Sequence, residues 1–138
     1  MPIDHGEQIQ LLRELRSLKG IKKVVVSSGI RYDMILADRK NGRNYLQEVI
    51  RYHVSGQMKV AQEHCRDNVL ACMGKPGSVS LLEFRRLFNR LTKQYGLPQF
   101  LTYYIIAAHP GCRLQDMQEL KKFARKELHL LPRQVQIF

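Results

Sequence analysis

The 138 residues include 23 Lys and Arg against 12 Asp and Glu, which gives a formal net charge of +11 at pH 7. Hydrophobic residues make up 44% and charged residues 25% of the chain, a composition that is ordinary for a globular domain and excludes general disorder. No run approaches the roughly 20 apolar residues of a membrane span, and the first residues lack the apolar core of a secretory signal. The charge leaves two interpretations open: solvated helix faces, or attraction to nucleic acid or another polyanion.

Length and cysteine usage narrow the class of protein further. A chain of this size is expected to form one domain, residues 1–138. The cysteines, Cys65, Cys72 and Cys112, are odd in number and widely separated, which argues against a disulfide framework. This usage is typical of a reducing compartment, so we expect a cytoplasmic protein.

The apolar pattern predicts helices that alternate with strands along the chain. Leu11, Leu12, Leu15 and Leu18 form the predicted apolar stripe of the first helix, and Phe100–Ala107 is the strongest strand signal. The predicted elements are a helix over 7–18, a strand over 23–27, a helix over 44–53, a strand over 57–61, helices over 67–73 and 80–95, a strand over 100–107, a helix over 114–128 and a strand over 135–138. Alternation of this kind implies an α/β fold with parallel strands.

Two parallel architectures remain open from the pattern alone. A doubly wound sheet that binds nucleotides needs a glycine-rich phosphate turn after its first strand, and Ser27–Arg31 matches neither that turn nor a P-loop. The other architecture is a (β/α) barrel. A complete barrel needs about 250 residues, so this chain would be a segment of one.

Polar and titratable residues concentrate where the predicted strands end, and both architectures place their chemistry there. Arg31 can pair with Asp33 on the surface or bind a carboxylate or phosphate group of a ligand. Glu63 and His64 can form a solvated loop, or Glu63 can accept hydrogen bonds from a ligand amine or ribose, and His109 can cap a turn or border a ligand. The candidate binding residues are Ser28, Gly29, Arg31, Lys59, Glu63, His64 and His109.

Other kinds of site are poorly supported by the sequence. Metal-ligand spacings such as C-x-x-C are absent, and so are the G-x-S-x-G elbow of hydrolases and a helix-turn-helix pattern. Arg85, Arg86 and Arg90 lie on one predicted helix and support an alternative, a basic nucleic-acid-binding module. A third interpretation is a structural domain without a ligand.

Four separated words at the strand ends resemble the YgiQ-like family of radical SAM proteins. They are KKVVVSSGIRYD (Lys22–Asp33), YHVSGQMKVAQEH (Tyr52–His64), MGKP (Met73–Pro76) and AAHPGC (Ala107–Cys112). LPRQVQIF (Leu131–Phe138) is similar to the start of the strand with which that family continues. The resemblance covers nearly the whole chain in order.

The resemblance implies a segment of a partial (β/α) barrel. Radical SAM enzymes hold a [4Fe–4S] cluster in a C-x-x-x-C-x-x-C loop and reductively cleave S-adenosylmethionine to a 5′-deoxyadenosyl radical. That loop is absent here, so the chain is expected to be the latter part of such a barrel, truncated at both ends relative to its parent. The resemblance assigns Ser28 and Arg31 to the ribose and carboxylate of S-adenosylmethionine, with Gly29 between them as a further cofactor-binding residue. It assigns Lys59–His64 to the adenine and His109 to the neighbourhood of the cofactor.

The expected partners follow from the same resemblance. They are the remainder of the parent chain with its cluster, a substrate that the sequence does not identify, and further copies of the chain through open strand edges. Alone, the segment is expected to lack catalysis and to bind neither S-adenosylmethionine nor a cluster tightly. Nucleic acid stays the less favoured partner, because most basic residues fall on outward helix positions, and no membrane partner is expected.

Overall fold

The computed structural model describes residues 3–129 and 135–138. The elements in those residues are α1 (Gly6–Ser17), α2 (Tyr32–Ala37), α3 (Gly42–Tyr52), β1 (Gln57–Glu63), α4 (Asp67–Cys72), α5 (Ser78–Gln94), β2 (Phe100–Ala107), α6 (Leu114–Lys126) and β3 (Gln136–Ile137). The strands are parallel in the order β1-β2-β3, with helices connecting them. This arrangement confirms the predicted α/β class.

The two faces of the sheet differ sharply in burial. Side chains of β1 alternate, so that Met58 and Val60 are buried while Gln57 and Lys59 on the opposite face are exposed. On β2, Leu101 and Ile105 are buried in the same way. One face of the sheet is therefore packed against helices, and the other, which we call the open face, is not covered by any element in the described residues.

The core is built mainly by α3 and α5 against the buried face of the sheet. Apolar residues recur every three or four positions along these helices, which places them on one side. In α5 these residues are Leu81, Phe84, Phe88 and Leu91, and in α3 they are Leu46, Val49 and Ile50, all fully buried. No helix in the described ranges has both the length and the apolar character needed to cross a membrane.

The predicted strand over 23–27 is wrong. The segment makes no strand ladder; its Val26 N–H donates to His53 O at 2.9 Å, in the loop after α3. Pairing with the sheet is limited to one parallel bridge, Ile30 with Val60. A β-branched run becomes a strand only where neighbouring backbone offers a continuous partner, and here the chain turns into α2 at Tyr32, a helix that the pattern did not predict.

The predicted apolar stripe of α1 is correct only in part, because Leu12 packs against the core and Leu15 is half-buried. Leu11 and Leu18 are 55% and 54% exposed, whereas Ile9 enters the core. Polar contacts fix α1 to α3, because Arg13 and Arg16 both bind the buried carboxylate of Glu48. At the other end of the chain, residues 131–134 of the word Leu131–Phe138 lie outside the described residues. The predicted last strand is present as Gln136–Ile137, paired with β2.

Candidate functional site

Three segments of the chain meet at the carboxyl end of the sheet, which we define as residues 27–33, 61–65 and 107–112. The first segment lies beside β1, since Ile30 N donates to Lys59 O at 2.8 Å and Ala61 N donates to Ile30 O at 3.1 Å. On its other side, β1 pairs with β2 as far as Glu63 and Ile105. The structure thus brings the three groups of strand-end residues to one edge of the molecule.

Both main strands end in an unusual backbone conformation. Glu63 and Ala108, neither of them glycine, have φ angles of 65° and 60°. The pairing of β1 with β2 also shifts register between Val60 and Glu63, where a bulge interrupts the ladder. Left-handed non-glycine residues and bulges are costly or disruptive features that cluster at functional sites, so they mark this end of the sheet as a candidate site.

Arg31 is engaged by Asp33 through two hydrogen bonds, Nε to Oδ1 at 2.9 Å and Nη2 to Oδ2 at 2.6 Å. Burial raises the pKa of Asp33, but the guanidinium outweighs this effect and the pKa lies below its usual value. The hydrogen bond to Asp33 in turn raises the pKa of the Arg31 guanidinium. Of the two roles open for Arg31, the surface pair is the one that the structure contains, and a ligand would have to exchange with Asp33.

Glu63 is bound by a lysine that the sequence reasoning did not select. Lys75 Nζ lies 2.9 Å from Glu63 Oε1 and donates to Ala61 O at 2.7 Å. Only 7% of the Lys75 side chain is exposed. The one signal in the sequence was the word MGKP (Met73–Pro76), because a contact 14 residues along the chain cannot be derived from helical or strand periodicity.

His64 is fully buried and links the ends of β1 and β2. Its Nδ1 accepts the N–H of Arg66 at 3.0 Å, and its Nε2 lies 3.6 Å from Cys112 Sγ. Burial lowers the pKa of His64, Asp116 opposes that shift, and Arg66 adds to it. The neutral ring therefore carries its proton on Nε2, toward the thiol. His64 contacts the loop after β2 and does not face the open side of the sheet.

The remaining predicted residues are more accessible. Ser28 and Gly29 are exposed, and a Cβ at Gly29 would meet Ala61 Cβ at an ordinary 3.5 Å. Lys59 is exposed in the middle of β1, because the strand continues to Glu63, two residues beyond its predicted end. His109 holds Pro110 O through Nδ1 at 2.8 Å, and its ring packs edge-on against Phe138 at 4.6 Å.

Two cavities differ in their relation to this site. One of about 410 Å³ adjoins the loops after β1 and β2. It is lined by Arg66, Asn68, Gly111, Arg113, Gln115, Asp116 and Glu119. A larger one of about 540 Å³ is lined chiefly by residues of α1 and α3, none of which belongs to a strand end. Of these two cavities, the smaller one therefore adjoins the candidate site.

The three cysteines do not form a metal centre among the described residues. Cys65 is buried, and burial raises its pKa to about 11, which disfavours the thiolate that a metal requires. Cys72 is exposed, and Cys112 contacts His64. Within residues 3–129 and 135–138, no three His, Cys, Asp or Glu side chains are grouped closely enough to hold a metal ion.

The whole chain is similar to a set of curated proteins that share one name. It is 51% identical over 138 residues to a UPF0313 protein of Fusobacterium nucleatum, 46% identical to one of Clostridium perfringens, and 41% identical to the UPF0313 protein YgiQ of Escherichia coli. These matches cover all of this chain but only 24%, 20% and 18% of the three relatives. The chain therefore spans about a fifth to a quarter of their length. No family model and no solved structure matches the chain.

Proposed function

We propose that this chain, which corresponds along its whole length to one segment of the UPF0313 proteins, supplies part of an S-adenosylmethionine site in a radical SAM protein. The observation that carries the proposal is the convergence of Ser28–Arg31, Glu63 and His109 at the carboxyl end of one parallel sheet with an open face. Ligands of α/β proteins bind at that end of the strands. The chain spans only 24%, 20% and 18% of the relatives, so the reaction and the substrate belong to the complete protein.

The residues at this end of the sheet fit an adenosyl amino acid. A carboxylate accepts hydrogen bonds from ribose hydroxyls. Glu63 forms its ion pair with Lys75 through Oε1, and its Oε2 would accept such a hydrogen bond. Arg31 would bind the ligand carboxylate by exchange with Asp33, while Lys59 is exposed on the open face of β1. Gly29 and Ala61 lie side by side, and a flat group could pack across these two small residues. When bound, S-adenosylmethionine supplies the radical that such proteins use.

The residues of this chain do not fit an iron–sulfur cluster. A cluster needs several thiolates close together, whereas Cys65 is buried with a pKa of about 11 and Cys112 is held by His64. The proposal therefore assigns the cluster ligands to the remainder of the complete protein. That remainder is the partner of this segment, and the segment alone is expected to bind S-adenosylmethionine weakly.

The proposal is tested in a chimera, the Fusobacterium nucleatum relative with its matching segment replaced by this chain. Equilibrium dialysis with labelled S-adenosylmethionine should show saturable binding of one molecule per chain. Arg31→Ala and Glu63→Gln should each weaken it about tenfold or more, because each loses a charged hydrogen bond. Glu83→Gln is the matched control, since Glu83 is exposed on α5. The proposal would be refuted if no saturable binding occurred, or if neither Arg31→Ala nor Glu63→Gln changed the affinity.

The alternative, a nucleic-acid-binding module, is tested on the same samples. Its support is the net charge of +11 and the exposed Arg86 and Arg90, while Arg85 instead donates to Glu127 O within the molecule. A basic module should bind duplex DNA or RNA with an affinity that falls steeply with salt. Steep salt dependence combined with no S-adenosylmethionine binding would favour this alternative.

A further inference from the structure

Lys75 reaches the carboxyl end of the sheet from the turn between α4 and α5. Gly74 precedes it with a φ of +65°, a conformation that favours glycine, and the N–H of Lys75 donates to Leu70 O at 2.9 Å. Gly77 ends the turn against the carboxylate of Asp67, which accepts the N–H of Ser78 at 3.0 Å. The turn is thus fixed at both ends, and it directs Lys75 back toward β1.

The ammonium of Lys75 occupies the place where a neighbouring strand stops. Ile30 donates to Lys59 O and accepts from Ala61 N, so it serves as a one-residue strand beside β1. Tyr32, two residues further along the chain, begins α2, and its N–H donates to Ile30 O instead of to β1. The carbonyl of Ala61, which points to the same side of β1 as its N–H, has no strand partner there. Lys75 Nζ donates to that carbonyl at 2.7 Å.

The same ammonium also holds the residue that follows the bulge. Glu63 adopts a φ of 65°, and its Oε1 lies 2.9 Å from Lys75 Nζ. A left-handed glutamate persists only where its surroundings determine it. Ala61 and Glu63 are two residues apart on one face of β1, and a single buried cation fixes the backbone of the first and the carboxylate of the second.

The charges around Glu63 are balanced. Lys75 and Arg31 both carry positive charge, and both act electrostatically on the carboxylates at this end of the sheet: Arg31 with Glu63, and Lys75 with Asp33. The ion pair joins Lys75 Nζ to Oε1 of Glu63, and no hydrogen bond to Oε2 is made by the described residues. The second oxygen is held in place and left to accept a hydrogen bond.

We propose that Lys75 is a positioning residue, which fixes the bulged end of β1 and aims the second carboxylate oxygen of Glu63 at a hydroxyl-bearing ligand. The ligand part of this inference rests on the proposed function. The positioning part does not, because it concerns the chain without any ligand. The two parts therefore have separate readouts.

The first readout is amide hydrogen exchange in this chain without ligand, measured over residues 59–66. Lys75→Met should accelerate exchange about tenfold or more, Lys75→Arg should restore most of the protection, and Glu63→Gln should give an intermediate increase. Lys121→Met, on the exposed side of α6, is the matched control and should change nothing. Circular dichroism establishes that each variant folds; if Lys75→Met does not fold, Glu63→Gln carries the test. Exchange that is unchanged in the variants would overturn the inference, whatever the ligand.

The second readout is the affinity of the chimera for S-adenosylmethionine. Lys75→Met should weaken binding about tenfold alone, but less than about threefold when Glu63→Gln is already present, because the two residues act as a unit. Equal losses in both backgrounds would show that Lys75 acts only through general stability and would overturn the positioning role. If the unsubstituted chimera does not bind, the proposed function fails, while the exchange result still decides the positioning of Glu63.

Discussion

The two faces of the sheet differ in what they contribute: one is packed with apolar side chains, and the other is exposed, with charged pairs at its strand ends. On the buried face, Met58 and Val60 are 1% and 0% exposed and pack beneath α3 and α5. On the open face, Phe100 is 57% exposed, and the strand ends carry charged pairs in place of apolar contacts. Apolar burial stabilises the first region, while the second retains a strained backbone and exchangeable ion pairs.

Substitutions in the two regions should therefore affect different properties of the protein. Substitutions beneath the helices should change the free energy of unfolding and leave the strand-end chemistry intact. Substitutions at the carboxyl end of the sheet should do the reverse.

The largest effect is expected from Phe84→Ala, on the buried side of α5. Phe84 is fully buried, and truncation of such a side chain costs about 3–5 kcal/mol through lost burial and a cavity. Urea unfolding followed by circular dichroism measures the loss. Val79→Ala on the same helix is the control, because Val79 is 74% exposed, and its effect should stay within about 0.5 kcal/mol. Similar losses for both variants would contradict the assigned core.

That core is the part of the fold that the sequence predicted well. Local spacing predicted the helices of the core and the full extent of Phe100–Ala107, because apolar periodicity records which face is buried. It predicted the helix α1 but only part of its buried face, since Leu11 and Leu18 are exposed, and the attachment of α1 also depends on arginines that bind Glu48 more than thirty residues away. It failed for 23–27 because strand pairing depends on distant backbone.

The candidate site was predicted in outline only. Polar residues at the strand ends identified the correct edge of the sheet, since parallel strands align their carboxyl ends. The partners of those residues were not predictable: Lys75 comes from a turn between helices, and Cys112 reaches His64 across 48 positions of the chain. Short helix α2 was missed because six residues carry too little periodicity.

A smaller effect is expected from acid at the carboxyl end of the sheet. The pKa of His64 is lowered from 6.5, chiefly by burial, although Asp116 opposes the shift and both Arg66 and His109 favour it. The unfolded chain therefore binds a proton at a higher pH than the folded chain, and the free energy of unfolding should fall as the pH drops below about 6.5.

Urea titrations between pH 7.5 and pH 5 measure this dependence. His64→Asn retains an acceptor for the Arg66 N–H and should flatten the curve in that range, whereas His129→Asn, at an exposed position, should not. The free energy of unfolding should fall further below about pH 4 in both histidine variants. The reason is that hydrogen bonds lower the pKa values of Asp33 and Asp38. An unchanged curve in His64→Asn would contradict the buried neutral ring.

The smallest effect concerns the three thiols. Their rates of alkylation report how buried each one is, and no substitution is needed to measure them. Cys72 is exposed, burial raises the pKa of Cys112, and burial raises the pKa of Cys65 to about 11. At pH 8 only about a thousandth of Cys65 would be thiolate. Alkylation by iodoacetamide, followed by peptide mass spectrometry, should therefore modify Cys72 first and Cys65 last. Rapid labelling of Cys65 in the folded chain would contradict its assignment to the core.

Photo-crosslinking would show directly whether the strand ends at the carboxyl edge of the sheet contact S-adenosylmethionine. The chimera would be irradiated with an 8-azidoadenine analogue of S-adenosylmethionine, and the labelled peptides identified by mass spectrometry. If the strand ends contact the ligand, adducts should lie within residues 27–33, 59–65 or 107–112, and they should disappear when excess unlabelled S-adenosylmethionine is present. Adducts confined to the outer helices, or adducts that excess ligand does not suppress, would contradict the proposed contact.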